Sequence, residues 1–157
     1  RPFKLKEYID EIIMSLHPRL KHTNILVKVG CVATIELDSY PGAFAQVLTN
    51  LTLNALTHAY EANSVGTIHI DAIQCEDRID ISFRDDGKGI PAEYVDKIFD
   101  PFFTTQRGRG GTGLGLNIVY NLIVKRFGGT IGVESTLEQG TTFNIQLPRV
   151  APLQENA

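Results

Sequence analysis

The chain reads as an α/β two-layer sandwich: a mixed, mostly antiparallel sheet covered on one face by about three helices. Three observations predict this. Three stretches carry apolar residues at helical spacing, while about six short runs rich in Val, Ile, Thr and Phe follow the strand period. The strands fall largely into hairpins, not into strict strand-helix-strand alternation, which argues against a wholly parallel sheet. The 157 residues suit one domain, long enough to bury about 70% of its unfolded surface.

Each element follows from its pattern. Lys6 to Leu16 sets Tyr8, Ile9, Ile12, Ile13 and Leu16 on one helical face, and Pro18 closes it. NILVKVG and ATIELD read as two short strands with a turn between them, and Pro41 opens a long helix from about Gly42 to Glu61. TIHIDAIQCE and RIDISFRD are strands joined through Glu76 and Asp77 as a hairpin. PAEYVDKIF is a short helix. LGLNIVYNLIVKRF repeats Leu114, Ile118, Val119, Leu122, Ile123 and Phe127 on one face and ends at Gly128 and Gly129. TIGVES and TTFNIQL close as a second hairpin. Residues 1–148 are expected as one folded unit and 149–157 as a frayed tail.

Composition narrows the function classes. An apolar fraction of 43%, a charged fraction of 21% and a net charge of -3 give no general reason to expect nucleic acid or an anionic membrane as partner. No apolar run approaches about 18 residues and no signal peptide is present, so neither a span nor direct membrane contact is expected. Cys31 and Cys75 lack CxxC spacing and read as buried small hydrophobes in a reducing compartment. A start at Arg1 instead of Met suggests a piece of something longer.

Four stretches carry chemistry. On the long helix, Gln46, Asn50, Asn54 and His58 recur at i, i+4 and form a polar stripe beside Phe44, Val47, Leu48, Leu51 and Ala55. An Asn carbonyl can hold a hard cation and its amide can donate to phosphate, though two Asn can equally face solvent. FRDDGKGI follows a strand directly: Gly87 and Gly89 allow a sharp turn, and Asp85 at the strand end can accept from an exocyclic amine such as that of adenine, or serve an ordinary Asp-Gly turn. In KIFDPFFTTQR, four apolar side chains bracket an Asp-Pro break, and Thr104, Thr105, Arg107 and Arg109 follow in a loop whose arginines can reach phosphate.

The fourth stretch is QRGRGGTGLGLNIVYNL. Gly108, Gly110 and Gly113 satisfy GxGxxG, and Glu134 lies about 20 residues on, which imitates a dinucleotide fingerprint. The imitation fails at its entrance, where FDPFFTTQR stands in place of a strand, and no GxxxxGK followed by Ser or Thr occurs. Of the 14 glycines, 7 lie between Gly87 and Gly115, so one loop is hinged on both sides and runs into a helix start where free N–H groups attract phosphate.

In this order the stretches resemble the catalytic and ATP-binding domain of two-component sensor histidine kinases, within the Bergerat-fold superfamily of gyrase, Hsp90 and MutL. NLTLNALTHA is similar to the N box, DDGKGI to the first glycine box, FDPFF to the phenylalanine box and GGTGLGL to the second glycine box. GTTFNIQLP matches the closing strand. The resemblance implies ATP and Mg²⁺ held between the helices and a lid. Asp85 reads the adenine amino group, Gly89 lets the chain approach the base and Thr141 adds a water-mediated contact. Asn54 binds Mg²⁺, Asn50 assists with metal or phosphates, and His58 lies near the phosphates; these three form the implied catalytic set. Gly111, Gly113, Leu114 and Gly115 give backbone contacts to phosphate, and Gly87, Ile90, Phe102, Gly110, Thr112 and Leu116 complete the implied ATP site.

Two departures sharpen the expectation. Many of these kinases carry Lys three residues after the metal-binding Asn, where this chain has Thr57, so neutralisation leans on Mg²⁺, His58 and the lid arginines. ATP-hydrolysing superfamily members place Glu four residues before that Asn; here the residue is Asn50, which cannot act as a base. Slow hydrolysis and a phosphoryl-donor role are expected, with an ATPase or a non-catalytic nucleotide-binding module of the same fold as the alternative. None of His17, His22, His58 and His69 fits the phosphoacceptor. The resemblance therefore implies a His-bearing dimerisation domain elsewhere in the parent, a response regulator downstream, a mostly monomeric fragment and a cytoplasmic location, with the parent open to anchoring in the inner membrane.

Overall fold

A computed structural model describes residues 1–103 and 115–154. The main sheet has five strands: β2 (Asn24–Cys31), β4 (Val65–Cys75), β5 (Arg78–Asp85), β6 (Thr130–Thr136) and β7 (Gly140–Pro148), in the order β2-β4-β5-β7-β6. β2 pairs parallel with β4, and every other pair is antiparallel. The hairpin expected at Glu76 and Asp77 joins β4 to β5, and a second joins β6 to β7.

Strand alternation decides which face is covered. β4 buries Ile68, Ile70 and Ala72, β5 buries Ile79, Ile81 and Phe83, and β7 buries Phe143, Ile145 and Leu147. Cross-strand register puts them in rungs, Ile79 opposite Leu147, Ile81 opposite Ile145 and Phe83 opposite Phe143. Helix α1 (Leu5–Ser15) contributes Leu5, Ile9 and Ile12 to the same core, and α3 (Pro41–His58) contributes Phe44, Val47, Leu48, Leu51 and Ala55. His69, Asp71, Asp80, Ser82, Arg84 and Asn144 occupy the alternate positions, so one face is apolar and helix-covered while the other is polar.

The structure differs from expectation where local signals were short. The two short strands with a turn between them form as β2 and β3 (Glu36–Asp38), but β3 leaves the main sheet and pairs with β1 (Pro2–Lys4), a strand not expected, in a separate two-stranded antiparallel sheet. β1 is three residues long with one buried side chain, Phe3, too little for a period to show. Pro18 does not simply end the first helix; it sits in the first turn of a further short helix, α2 (His17–Leu20).

The long helix stops at His58, not Glu61, because the Ala59 carbonyl accepts from Lys88 N–H at 2.8 Å. Only Ala92–Val95 of PAEYVDKIF is helical, as α4. The last helical stretch is α5 (Gly115–Asn121) followed by a π-turn over Leu122–Arg126, with Gly129 N–H donating to the Ile123 carbonyl at 2.8 Å. Cys31 and Cys75 are half-buried at strand ends, not core residues.

Residues after β7 are docked as far as they are described. Ala151 N–H donates to the Asp38 carbonyl at 2.8 Å, the Tyr40 hydroxyl donates to the Pro152 carbonyl at 2.6 Å, and Gln154 Nε2 donates to the Arg126 carbonyl at 3.2 Å. Among the described residues no helix is long and apolar enough to cross a membrane.

Candidate functional site

The inward positions of β5 run Ile79, Ile81, Phe83, Asp85, so the rung that ends the strand offers a carboxylate where its predecessors offer hydrocarbon. Asp85 is 4% exposed and stands opposite Thr141 in register. Its Oδ1 accepts from Gly87 N–H at 2.9 Å and Thr141 N–H at 3.3 Å, and Oδ2 has no partner among the described residues. Burial pushes the Asp85 carboxyl above the usual carboxylate range, the two N–H donors counter it, and the adjacent Asp86 charge adds to the rise. A carboxylate fixed through one oxygen leaves the other as an acceptor for a ligand N–H.

Asp86, the neighbouring carboxylate, is directed elsewhere. Its Oδ1 accepts from the Tyr60 hydroxyl at 2.7 Å and from Thr67 N–H at 2.9 Å, tying the chain after β5 to the start of β4.

Asp85 borders a cavity of about 470 Å³. Four-residue steps along an α-helix advance by about 40° beyond a full turn, so Asn50, Asn54 and His58 stay on one side of α3 and line this cavity. Gln46 does not. Asn50 Nδ2 donates to the Gly115 carbonyl at 3.4 Å, joining α3 to the first residue of α5. The Asn54 side chain has no hydrogen-bond partner among the described residues. Burial holds the His58 imidazole below its usual range and Lys88 pushes it the same way, so it is neutral at pH 7.

Of the expected ATP-binding residues, Asn50, Asn54, His58, Asp85, Gly89, Ile90, Gly115, Leu116 and Thr141 share the cavity wall. Gly87 does not line it. Its place is behind Asp85, where its N–H holds the carboxylate and a Cβ would collide with the Ala59 carbonyl. Phe102 also stands outside: it is 59% exposed with φ +65°, and the turn it makes aims Phe103 at the cavity instead. Thr104, Thr105, Arg107, Arg109, Gly110, Gly111, Thr112, Gly113 and Leu114 lie outside the described residues.

Several residues that position the site were missed in the sequence. Ser135 Oγ accepts from Ile90 N–H at 2.8 Å, donates to the Gly140 carbonyl at 3.1 Å and lies 2.8 Å from Thr141 Oγ1, so it fastens the turn after Asp85 to the closing hairpin. Its signal was available: Ile131, Val133 and Ser135 share one side of β6, and a polar residue ends that series as Asp85 ends its own. Gly140, at φ +105°, is the second. A Cβ there would strike the Asp85 carbonyl, so only glycine lets β7 start this close to the carboxylate. Lys88, Glu138, Leu137, Tyr94, Ile98 and Phe103 complete much of the remaining wall.

No group of three His, Cys, Asp or Glu residues able to hold a metal occurs among the described residues. A cation here would depend on neutral amide oxygens and on its ligand's own anionic oxygens, and the unpartnered Asn54 amide fits that need.

Residues 40–151 match the family model described as histidine kinase-, DNA gyrase B-, and HSP90-like ATPase. The chain belongs to this family. Among curated relatives, the sensor histidine kinase ZraS of Escherichia coli strain K12 is 43% identical over 113 residues, 72% of this chain. The match covers 23% of ZraS, so this histidine kinase-like ATPase domain spans less than a quarter of that relative. The solved catalytic domain of histidine kinase ThkA superposes with a TM-score of 0.80 at 30% identity, covering 96% of this chain and 95% of that one. ThkA in complex with the response regulator protein TrrA gives a TM-score of 0.76 at 26% identity, covering 95% of this chain and 41% of the solved one. The two-layer fold expected from the sequence is thus that of histidine kinase catalytic domains.

Proposed function

We propose that the domain binds ATP with Mg²⁺ in the Asp85–Asn54 cavity and donates the γ-phosphoryl group to a histidine on a separate dimerisation domain. The observation that carries this is the pairing of two groups in one cavity that keep bonding capacity among the described residues: Asp85 through Oδ2, and Asn54 through its amide. Asp85 Oδ2 accepts the adenine amino group, and Thr141 lies beside it. Asn54 would hold Mg²⁺ through its amide oxygen with Asn50 assisting, and the metal would supply positive charge against the phosphates. The family match supports ATP as the ligand.

Donation in preference to hydrolysis follows from the residue type at position 50. An amide cannot take a proton from water, so the site aligns the phosphoryl group without activating a competing nucleophile. A cytoplasmic location and a response regulator further along the relay accord with this role, as the regulator bound to ThkA does for that kinase.

Calorimetric titration tests the site. ATP with Mg²⁺ should bind the wild-type chain, and Asp85→Asn should weaken it by about tenfold or more, because an amide NH₂ would face the adenine donor. Asn54→Ala should remove the Mg²⁺-dependent gain while leaving metal-free nucleotide binding within about threefold. Equal ATP affinity of wild type and Asp85→Asn would refute the assignment.

A further inference from the structure

Lys88 lies between Gly87 and Gly89, and its backbone is gripped from two sides. Its N–H donates to the Ala59 carbonyl at 2.8 Å at the end of α3, and its carbonyl accepts from Glu138 N–H at 2.9 Å in the β6–β7 hairpin. The flanking glycines pack so closely that a Cβ on Gly87 would collide with Ala59 and one on Gly89 with Thr136. The base of the side chain is therefore fixed while its end is loosely held. Lys88 Nζ is 3.7 Å from Glu61 Oε1, in a pair exposed on both sides, and such a pair restrains little in water.

Charge makes this residue informative. Among the described residues lining the cavity, Asp85 and Glu138 are anionic and Lys88 alone is cationic. The α3 wall offers Asn50, Asn54, Thr57 and His58, and the His58 imidazole is uncharged at neutral pH through burial and the nearby Lys88 charge. A nucleoside triphosphate carries more negative charge than one Mg²⁺ cancels. The remaining charge calls for protein cations, and the Lys88 ammonium, on the cavity wall and within electrostatic reach of His58, is one that can supply it.

We propose that Lys88 is a nucleotide-positioning residue whose ammonium contacts the phosphate chain from the cavity wall, doing for this site what the neutral Thr57 on α3 cannot. The proposal rests on the nucleotide reading above and adds a residue to it. Binding draws Lys88 away from Glu61 and onto phosphate oxygen; no covalent step is involved.

The test compares ATP, ADP and adenosine on the whole chain, by displacement of a fluorescent ATP analogue, for wild type, Lys88→Met and Lys88→Arg. Lys88→Met should weaken ATP and ADP by about 5- to 10-fold while adenosine changes less than about twofold, and Lys88→Arg should stay within about threefold of wild type. The ATP loss in Lys88→Met should also shrink as salt is raised. Equal weakening of adenosine and ATP would make Lys88 a base or ribose contact and overturn the proposal, as would unchanged ATP affinity in Lys88→Met. If the wild-type chain binds none of the three, the nucleotide reading itself falls and takes the proposal with it. Far-UV circular dichroism matching wild type shows that Lys88→Met is folded.

Discussion

Asp85 concentrates the chemistry of the domain in one carboxylate that folding alone would not choose. Its pKa is raised by burial, so the folded state holds the Asp85 proton more firmly than the unfolded chain does. Any contribution to stability is present below the unfolded carboxyl pKa and lost as pH rises through the raised folded value; at pH 7 the buried charge is a liability. Asp85→Asn keeps an oxygen for the Gly87 and Thr141 N–H groups, so the ligand-free variant should melt at the same temperature as wild type or higher. Each kcal/mol gained is worth roughly 2–4 °C in a domain of this size. A markedly lower melting temperature at pH 7 would mean that the charge itself supports the fold. His58 has the opposite sign: its pKa is lowered, so its neutral form stabilises the fold above the unfolded His value, and that support fades as pH falls through the folded value. Its imidazole resonance in an NMR titration should show a midpoint below about 6.5, moving upward in Lys88→Met. A midpoint at or above that value would contradict the burial. Asp85 was legible because strand period assigns it inward and Asp86 not. Lys88 was not, since a lysine between two glycines has no period to reveal which way it points.

At the scale of elements, the site is a meeting of ends: the last rung of β5, the start of β7, the start of α5 and the middle of α3. Gly140 sets how closely β7 approaches β5. Gly140→Ala should cost about 2 kcal/mol or more in urea unfolding, since it adds strain at φ +105° and a collision with the Asp85 carbonyl. A loss under about 0.5 kcal/mol would show that the hairpin shifts freely and that the close approach is not required. The helices and hairpins that carry these ends were legible from their periods. Their exact stops were not, because tertiary bonds decide them: Lys88 N–H ends α3 by taking the Ala59 carbonyl, and Ser135 binds Ile90 across 45 residues of chain. β1 escaped for a related reason, as did β3's place outside the main sheet, since two three-residue strands stabilise one another only after the chain between them has folded and brought them together.

For the whole molecule, a sheet covered on one face leaves its cavity between the covering helices and one end of the strands, where Asp85, Asn50 and Asn54 face a common space. The resemblance carried by the four sequence stretches implied that arrangement, and among the described residues the α3 stripe, the turn after β5 and the start of α5 do border one cavity. Phosphoryl donation itself is tested most directly by mixing the chain with ATP, Mg²⁺ and the separately made His-bearing dimerisation domain of its parent, then following phosphohistidine and free phosphate together. A donor site predicts phosphohistidine that accumulates with little free phosphate, and neither product forming quickly when the dimerisation domain is left out. Rapid phosphate release without phosphohistidine would contradict it and identify the domain as an ATPase.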